Sequence, residues 1–266
     1  VVKDLITFLD NVLQFFIDNA PDEISRARYS ATQERSLGLG AMGLHSLYQK
    51  NRIPFDSLQA KTLNEEIFKK IKEDAVEQTK ILGKDKGEAP DMKGTGKRNA
   101  HLLAIAPNAN SSMITGCSPS IEPHKANAYT HRTRAGSHLI KNRYLREELI
   151  KLNMDTPEVW TSIITNGGSV QHLDFINDSI KEVFKTAIEI DQRVIIEQGG
   201  DRQKYLCQGQ SLNIFFPAGA SKNYLHDVHM QAWKHECKGL YYLRTETSHR
   251  AENVAEKVKL NKLKDY

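Results

Sequence analysis

Three short apolar runs limit what this chain can fold into: HLLAIA at 101–106, SLNIFF at 211–216 and KGLYYL at 238–243. Runs of this length, rich in branched and aromatic residues, read as strands rather than helices. The first empties into Pro107 and a string of small polar residues, and the second is closed by Pro217. The third carries Tyr241 and Tyr242 side by side. In a regular strand neighbouring side chains point to opposite faces, so one ring is expected in the core and the other away from it. Taken alone, such a pair is a packing feature of a core strand.

Between the runs, apolar residues recur every three or four positions. Leu5, Phe8, Leu9, Val12, Leu13 and Phe16 predict an amphipathic helix over 1–19, ended by Pro21. Leu63, Ile67, Phe68, Ile71 and Val76 predict a second over 58–82, stopping near Gly83. Thr156 and Pro157 start another that stops at Gly167 and Gly168. Ser179 and Glu182 fit a capping box opening a helix through Ile180, Val183, Phe184, Ala187, Ile188, Val194 and Ile195. Ser221 caps a helix to about Cys237 that leads into the Tyr-Tyr run.

With 266 residues and 39% apolar content the chain can bury a substantial core. A net charge of +4, with both signs interspersed, argues against a nucleic-acid or membrane surface. No run is long enough to span a bilayer, and Cys117, Cys207 and Cys237 are widely spaced, as expected of a reduced, cytoplasmic protein. The start at Val1 suggests a piece of something longer.

Gly38, Gly40 and Gly43 lack the dinucleotide-binding spacing and are expected to allow close backbone approach. Gly94-Thr95-Gly96-Lys97 lacks the P-loop spacing. By contrast, Pro107, Asn108, Ala109, Asn110 and Ser111, between a strand and a helical turn, suit either an anion site or an ordinary capped turn. His226, His229, His235 and Cys237 lack the spacing of the zinc helix motif, so no metal is assigned. His124, His131 and His138 are expected at the surface, and Glu122 and Asp191 in structural pairs.

Five segments occur in a telling order: APNANSS at 106–112, SIEP at 120–123, DQR at 191–193, QSLN at 210–213 and LYYLRT at 240–245. With RSLGLG at 35–40, they resemble the C-terminal half of the large, catalytic subunit of class I ribonucleoside-diphosphate reductase, phage-encoded members being nearest in character. The resemblance spans nearly the whole chain. It implies an α/β fold, the C-terminal half of a ten-stranded α/β barrel with outer helices, over residues 1–245. A polar, mobile tail is expected over 246–266.

It further implies that Pro107, Asn108, Ala109, Asn110 and Ser111 bind the diphosphate of a ribonucleoside diphosphate. Asn108 and Asn110 stand where hydroxyl residues are common in the family. Tyr241 and Tyr242 correspond to the pair that passes a radical from the small subunit toward an active-site cysteine. The 221–237 helix resembles one that helps dock the small subunit's C-terminal peptide. No cofactor is expected on this chain: the radical comes from the small subunit's metal cofactor, and reducing equivalents from an external dithiol such as thioredoxin or glutaredoxin.

The departures are equally informative. The family's thiyl-radical cysteine lies in an Asn-x-Cys-x-Glu motif absent from this sequence, and residues 243–266 lack the tail's cysteine pair. The chain is therefore expected to be inactive alone, as a trimmed domain or split-gene product requiring the N-terminal half. Three alternatives remain at this point: an inactive assembly module that docks the small subunit or the other half, a vitamin B12-dependent reductase, and an unrelated helical anion-binding protein.

Overall fold

The computed structural model describes residues 1–134 and 136–245. The expected tail at 246–266 lies outside them. In chain order the elements are α1 (Val2–Asn19), α2 (Ser25–Glu34), α3 (Leu44–Lys50), α4 (Leu58–Lys86), α5 (Ala109–Thr115), β1 (Ala128–Thr133) and β2 (Gly136–Lys141). There follow α6 (Arg143–Lys151), α7 (Pro157–Thr165), α8 (Asp178–Val183), α9 (Gln192–Gln203), β3 (Ile214–Phe216), α10 (Lys222–Lys234) and β4 (Leu243–Thr245).

The three apolar runs lie in one parallel arrangement, and a fourth segment joins them. Leu39 N donates to Leu102 O at 2.9 Å, and Ala104 N to Leu39 O at 3.1 Å. Ile105 N donates to Gly209 O at 3.2 Å, and Ser211 N to Ile105 O at 2.9 Å. β3 then pairs in parallel with β4. The order across the layer is thus 37–40, 101–106, 208–216 and 241–245, with regular pairing shorter than the apolar runs suggested. Leu103, Ile105, Leu212 and Ile214 are buried in the main core together with side chains of α1, α3, α4, α9 and α10. This is part of an α/β barrel, helix-rich and with its helices outside.

The glycines near the start act as expected. A Cβ on Gly40 would stand 2.5 Å from the Ala104 carbonyl oxygen, so only glycine lets these two segments meet. α4 runs through Gly83, where a helix end was expected, to Lys86. A Cβ on Gly83 would come within 2.8 Å of Gly96 O, so this glycine serves close packing of the 94–98 loop instead. In that loop the Glu88 carboxylate accepts from Gly94 N at 2.6 Å and from Gly96 N, so the chain's own acid occupies the loop's donors.

Two other expectations are corrected. The helix drawn from 179 to 195 is two: Asn177, not Ser179, caps α8 through Ile180 N at 2.9 Å, and Asp191 caps α9 through Arg193 N at 3.0 Å. Between them Glu189 accepts from Thr186 N at 2.7 Å, turning the chain. In α1, Ile6 and Asp10 are the buried positions, while Leu5, Phe8, Val12 and Phe15 are exposed.

A second, smaller core contains Ala128, Leu145, Leu149, Trp160, Ile163 and Phe184. It packs the antiparallel hairpin β1–β2 with α6, α7 and α8, a unit the sequence pattern had not revealed. Asn127 ties it together, donating to Gly168 O at 3.1 Å and Phe184 O at 2.7 Å.

Candidate active site

In parallel barrels, functional groups collect at the C-terminal ends of the strands. The 101–106 segment delivers the chain there at Pro107. Asn108 adopts the left-handed conformation (φ 52°) and its side-chain amide donates to Ala106 O at 3.2 Å, which turns the chain sharply into α5. Ala109, Asn110 and Ser111 stand exposed in the first turn, while Ser112 is buried and its hydroxyl donates to Ala109 O at 2.9 Å. The five predicted loop residues are therefore contiguous at one strand end, with the helix N–H groups of Asn110 and Ser111 in its first turn, where no preceding turn offers them carbonyls.

Tyr241 and Tyr242 come from the other side of the layer. Ile105 bridges Gln210 in parallel on one side of the layer, and Ile214 pairs with Leu243 on the other. The two rings do not take opposite faces as expected. Their centroids stand 4.2 Å apart with planes at 50°, and both side chains are about half exposed. A hydrogen bond to Tyr242, and that neighbour's charge, hold the Tyr241 phenol above its ordinary pKa.

The cause is a shift in pairing. Tyr241 N donates to Leu212 O at 2.9 Å, which sets Leu212 opposite Leu240. Two residues later Ile214 is opposite Leu243, with Ile214 N donating to Tyr242 O at 3.0 Å. Two steps on one strand face three on the other, so the tyrosine strand carries a one-residue bulge at the pair. A bulge of this kind re-aims side chains, here from alternating to adjacent.

Other groups converge on the pair. Asn213 Oδ1 accepts from Tyr242 N at 2.9 Å, and Asn213 Nδ2 donates to Glu122 Oε1 at 2.5 Å. Burial pushes the Glu122 carboxyl up, against the Asn213 bond and the charges of Lys125 and Arg244. The Arg244 guanidinium lies 4.8 Å from the Tyr242 ring centre, and Lys125 Nζ 5.8 Å from that of Phe215. Lys125 is held below its ordinary pKa by burial and by Arg244. Glu122, expected in a structural pair, instead meets Asn213; the segments SIEP and QSLN carry the only sequence signal for the two.

Behind Glu122 lies His124, expected at the surface but half-buried. Its ring centre is 5.4 Å from that of His45, its backbone N–H donates to His45 Nδ1 at 2.8 Å, and its Nε2 meets Ser46 Oγ at 3.2 Å. Burial lowers the His124 pKa to about 4, while burial and the charge of His124 keep His45 well below its ordinary value. His138 is exposed and His131 half-buried on the hairpin. Among the described residues no group of three or more His, Cys, Asp or Glu side chains is placed to hold a metal ion, and no helix is long and apolar enough to cross a membrane.

A polar loop follows one segment of a parallel layer and paired phenols lie on another, as in part of an α/β barrel, and comparison with known proteins gives the family. The model of the ribonucleotide reductase barrel domain matches residues 1–96 and 90–243, and the chain belongs to that family. It is 57% identical over 248 residues to a Frog virus 3 (isolate Goorha) protein named for the ribonucleoside-diphosphate reductase large subunit, covering 92% of this chain and 44% of that protein. The large subunit of Invertebrate iridescent virus 6 is 44% identical, with 98% of this chain and 28% of the relative covered. The class Id ribonucleotide reductase alpha subunit of Actinobacillus ureae superposes with a TM-score of 0.87 at 40% identity, over 93% of this chain and 46% of that one. The chain thus spans less than half the length of these relatives.

Proposed function

We propose that this chain supplies the substrate-diphosphate loop and the tyrosine radical-transfer pair of a class I ribonucleotide reductase, which reduces ribonucleoside diphosphates to deoxyribonucleoside diphosphates. The observation that carries the reading is the contact of the Tyr241 and Tyr242 rings, 4.2 Å between centres, in the same parallel layer whose 101–106 segment leads into Pro107, Asn108, Ala109, Asn110 and Ser111. Backbone N–H groups at the start of α5 would receive the diphosphate, favoured by the positive end of the helix.

A phenol can surrender a proton and an electron together. A tyrosyl radical at one ring is then repaired to a phenol by the hydrogen atom of its neighbour, which becomes the radical in turn. Contact between the rings keeps each hop short. No charge is left behind, which suits a half-buried site. The radical would arrive from the metal cofactor of a small subunit and end on a cysteine in the remainder of the large subunit. An external dithiol would return the reducing equivalents. In this reading α10, which presents Met230 and Trp233 to solvent, contributes to docking the small subunit. The assembly would work in the cytoplasm.

The reading is tested by capturing the chain from its native source, measuring intact masses and assaying cytidine-diphosphate reduction. A companion chain bearing the Asn-x-Cys-x-Glu motif, with activity only in the reassembled complex, supports it, as does a longer active polypeptide containing this sequence. A complex that reaches the small subunit yet never turns over would instead make the chain an assembly module.

A further inference from the structure

We propose that Glu122 and Asn213 are positioning residues that hold open the bulge at Tyr241–Tyr242 and so keep the two phenols on one face; the proposal deepens the radical-transfer reading and rests on it. A one-residue bulge removes one backbone group from the ladder. Here it is the Tyr242 N–H, flanked by the ladder bonds of Tyr241 N to Leu212 O and Ile214 N to Tyr242 O. A strand with that donor unmet would gain by slipping one residue back into register, and the slip would return the rings to opposite faces.

Asn213 prevents this. Its Oδ1 takes the Tyr242 N–H at 2.9 Å, and its Nδ2 is committed to Glu122 at 2.5 Å. The amide's orientation is unambiguous, because a backbone N–H only donates and must face the amide oxygen. Both side chains are buried, with 3% exposure at Glu122 and 4% at Asn213, so water does not compete for either bond. Glu122 is itself anchored: Glu122 N donates to Pro119 O at 3.2 Å, and the neighbouring Ser118 is tied to Ser46 through Ser46 N to Ser118 Oγ at 3.1 Å and Ser118 N to Ser46 Oγ at 2.7 Å. The pair is therefore referred to the loop between α5 and the hairpin, not only to its own strand.

Three variants test this in the reductase complex containing the chain, read by amide hydrogen exchange and by steady-state kinetics. Asn213→Leu keeps the volume and removes both bonds. Exchange of the Tyr242 amide should rise about tenfold or more, the worth of one hydrogen bond, while Tyr241 and Ile214 change less. Turnover number should fall with KM for the diphosphate unchanged, because the substrate loop is untouched. Glu122→Gln retains an oxygen acceptor and should keep both readouts near the parent. Asn213→Asp sets a second carboxylate against Glu122, with Lys125 and Arg244 the other charged groups nearby. Its Tyr242 protection and turnover should fall as pH rises and the shared proton is lost, a dependence the parent lacks, and this variant decides the matter should Asn213→Leu not fold. Unchanged Tyr242 exchange in Asn213→Leu, or pH-independent protection in Asn213→Asp, would overturn the proposal. If Tyr241→Phe and Tyr242→Phe both turn over normally, the radical-transfer reading fails, and exchange alone judges the strut.

Discussion

Arg98 Nε donates to Asp10 Oδ2 at 2.9 Å across a contact in which the aspartate has no exposure to solvent. Arg35 Nε and Asn99 Nδ2 share the other oxygen, each at 3.0 Å. Burial alone would raise the Asp10 pKa, but bonds from Arg98 and Asn99 and the charges of Arg35 and Arg98 outweigh it and leave the carboxyl low. This network ties α1 to both segments that begin the parallel layer. Asp10→Ala leaves two guanidiniums buried without their partner, so urea unfolding should show a loss of about 3–5 kcal/mol.

The close packing of Gly40 against Ala104 gives a second prediction. Gly40→Ala forces a methyl group to 2.5 Å from Ala104 O, where backbone and not a mobile side chain must move. Thermal unfolding should report a destabilisation of about 1–3 kcal/mol, the usual range for overpacking. Gly87→Ala, which has open space but φ 86°, serves as a comparison in which only conformational strain is added.

The paired imidazoles predict a pH dependence. His45 and His124 both titrate below their ordinary value in the folded chain, His124 at about 4. Below about pH 6.5 the unfolded chain therefore binds protons that the folded chain does not. Their contribution is complete above about pH 6.5 and is lost as pH falls toward 4. Denaturant midpoints measured across this interval should decline, and His124→Gln should flatten the decline.

A fourth prediction concerns the loop. Ala109 is exposed in the first turn of α5, so Ala109→Asp should leave stability within about 0.5 kcal/mol. Its charge would oppose a diphosphate. KM in the assembled enzyme should rise about tenfold or more, since a unit charge near 4 Å is worth roughly 1–4 kcal/mol in partly screened surroundings.

How much of this could be read beforehand follows the physics of each element. Thr156, Ser221 and the apolar runs were legible because caps and burial patterns are local. The helix through Gly83 was not, because the glycine answers to Gly96, distant in sequence and close in space. Asp10 sits on the helical face that packs inward, and nothing local announces that two arginines and an asparagine will meet it there. The turn at 107–111 does follow the apolar 101–106 segment and opens α5, as its composition and place suggested. The geometry of the tyrosine pair was not legible: a period-two reading assumes an unbroken register, and the extra residue at Tyr241–Tyr242 shows only once the partner strand is present. Asn213 and Glu122 belonged to recognisable segments whose purpose depends on that bulge.

The most direct test of the radical-transfer assignment is removal of one phenolic oxygen at a time. Tyr241→Phe and Tyr242→Phe keep the rings, and both side chains are half exposed, so stability should stay within about 0.5 kcal/mol. With the complete enzyme assembled, each variant should bind the ribonucleoside diphosphate as before and fail to reduce it. Undiminished reduction by either variant would contradict the assignment of a radical path through both tyrosines.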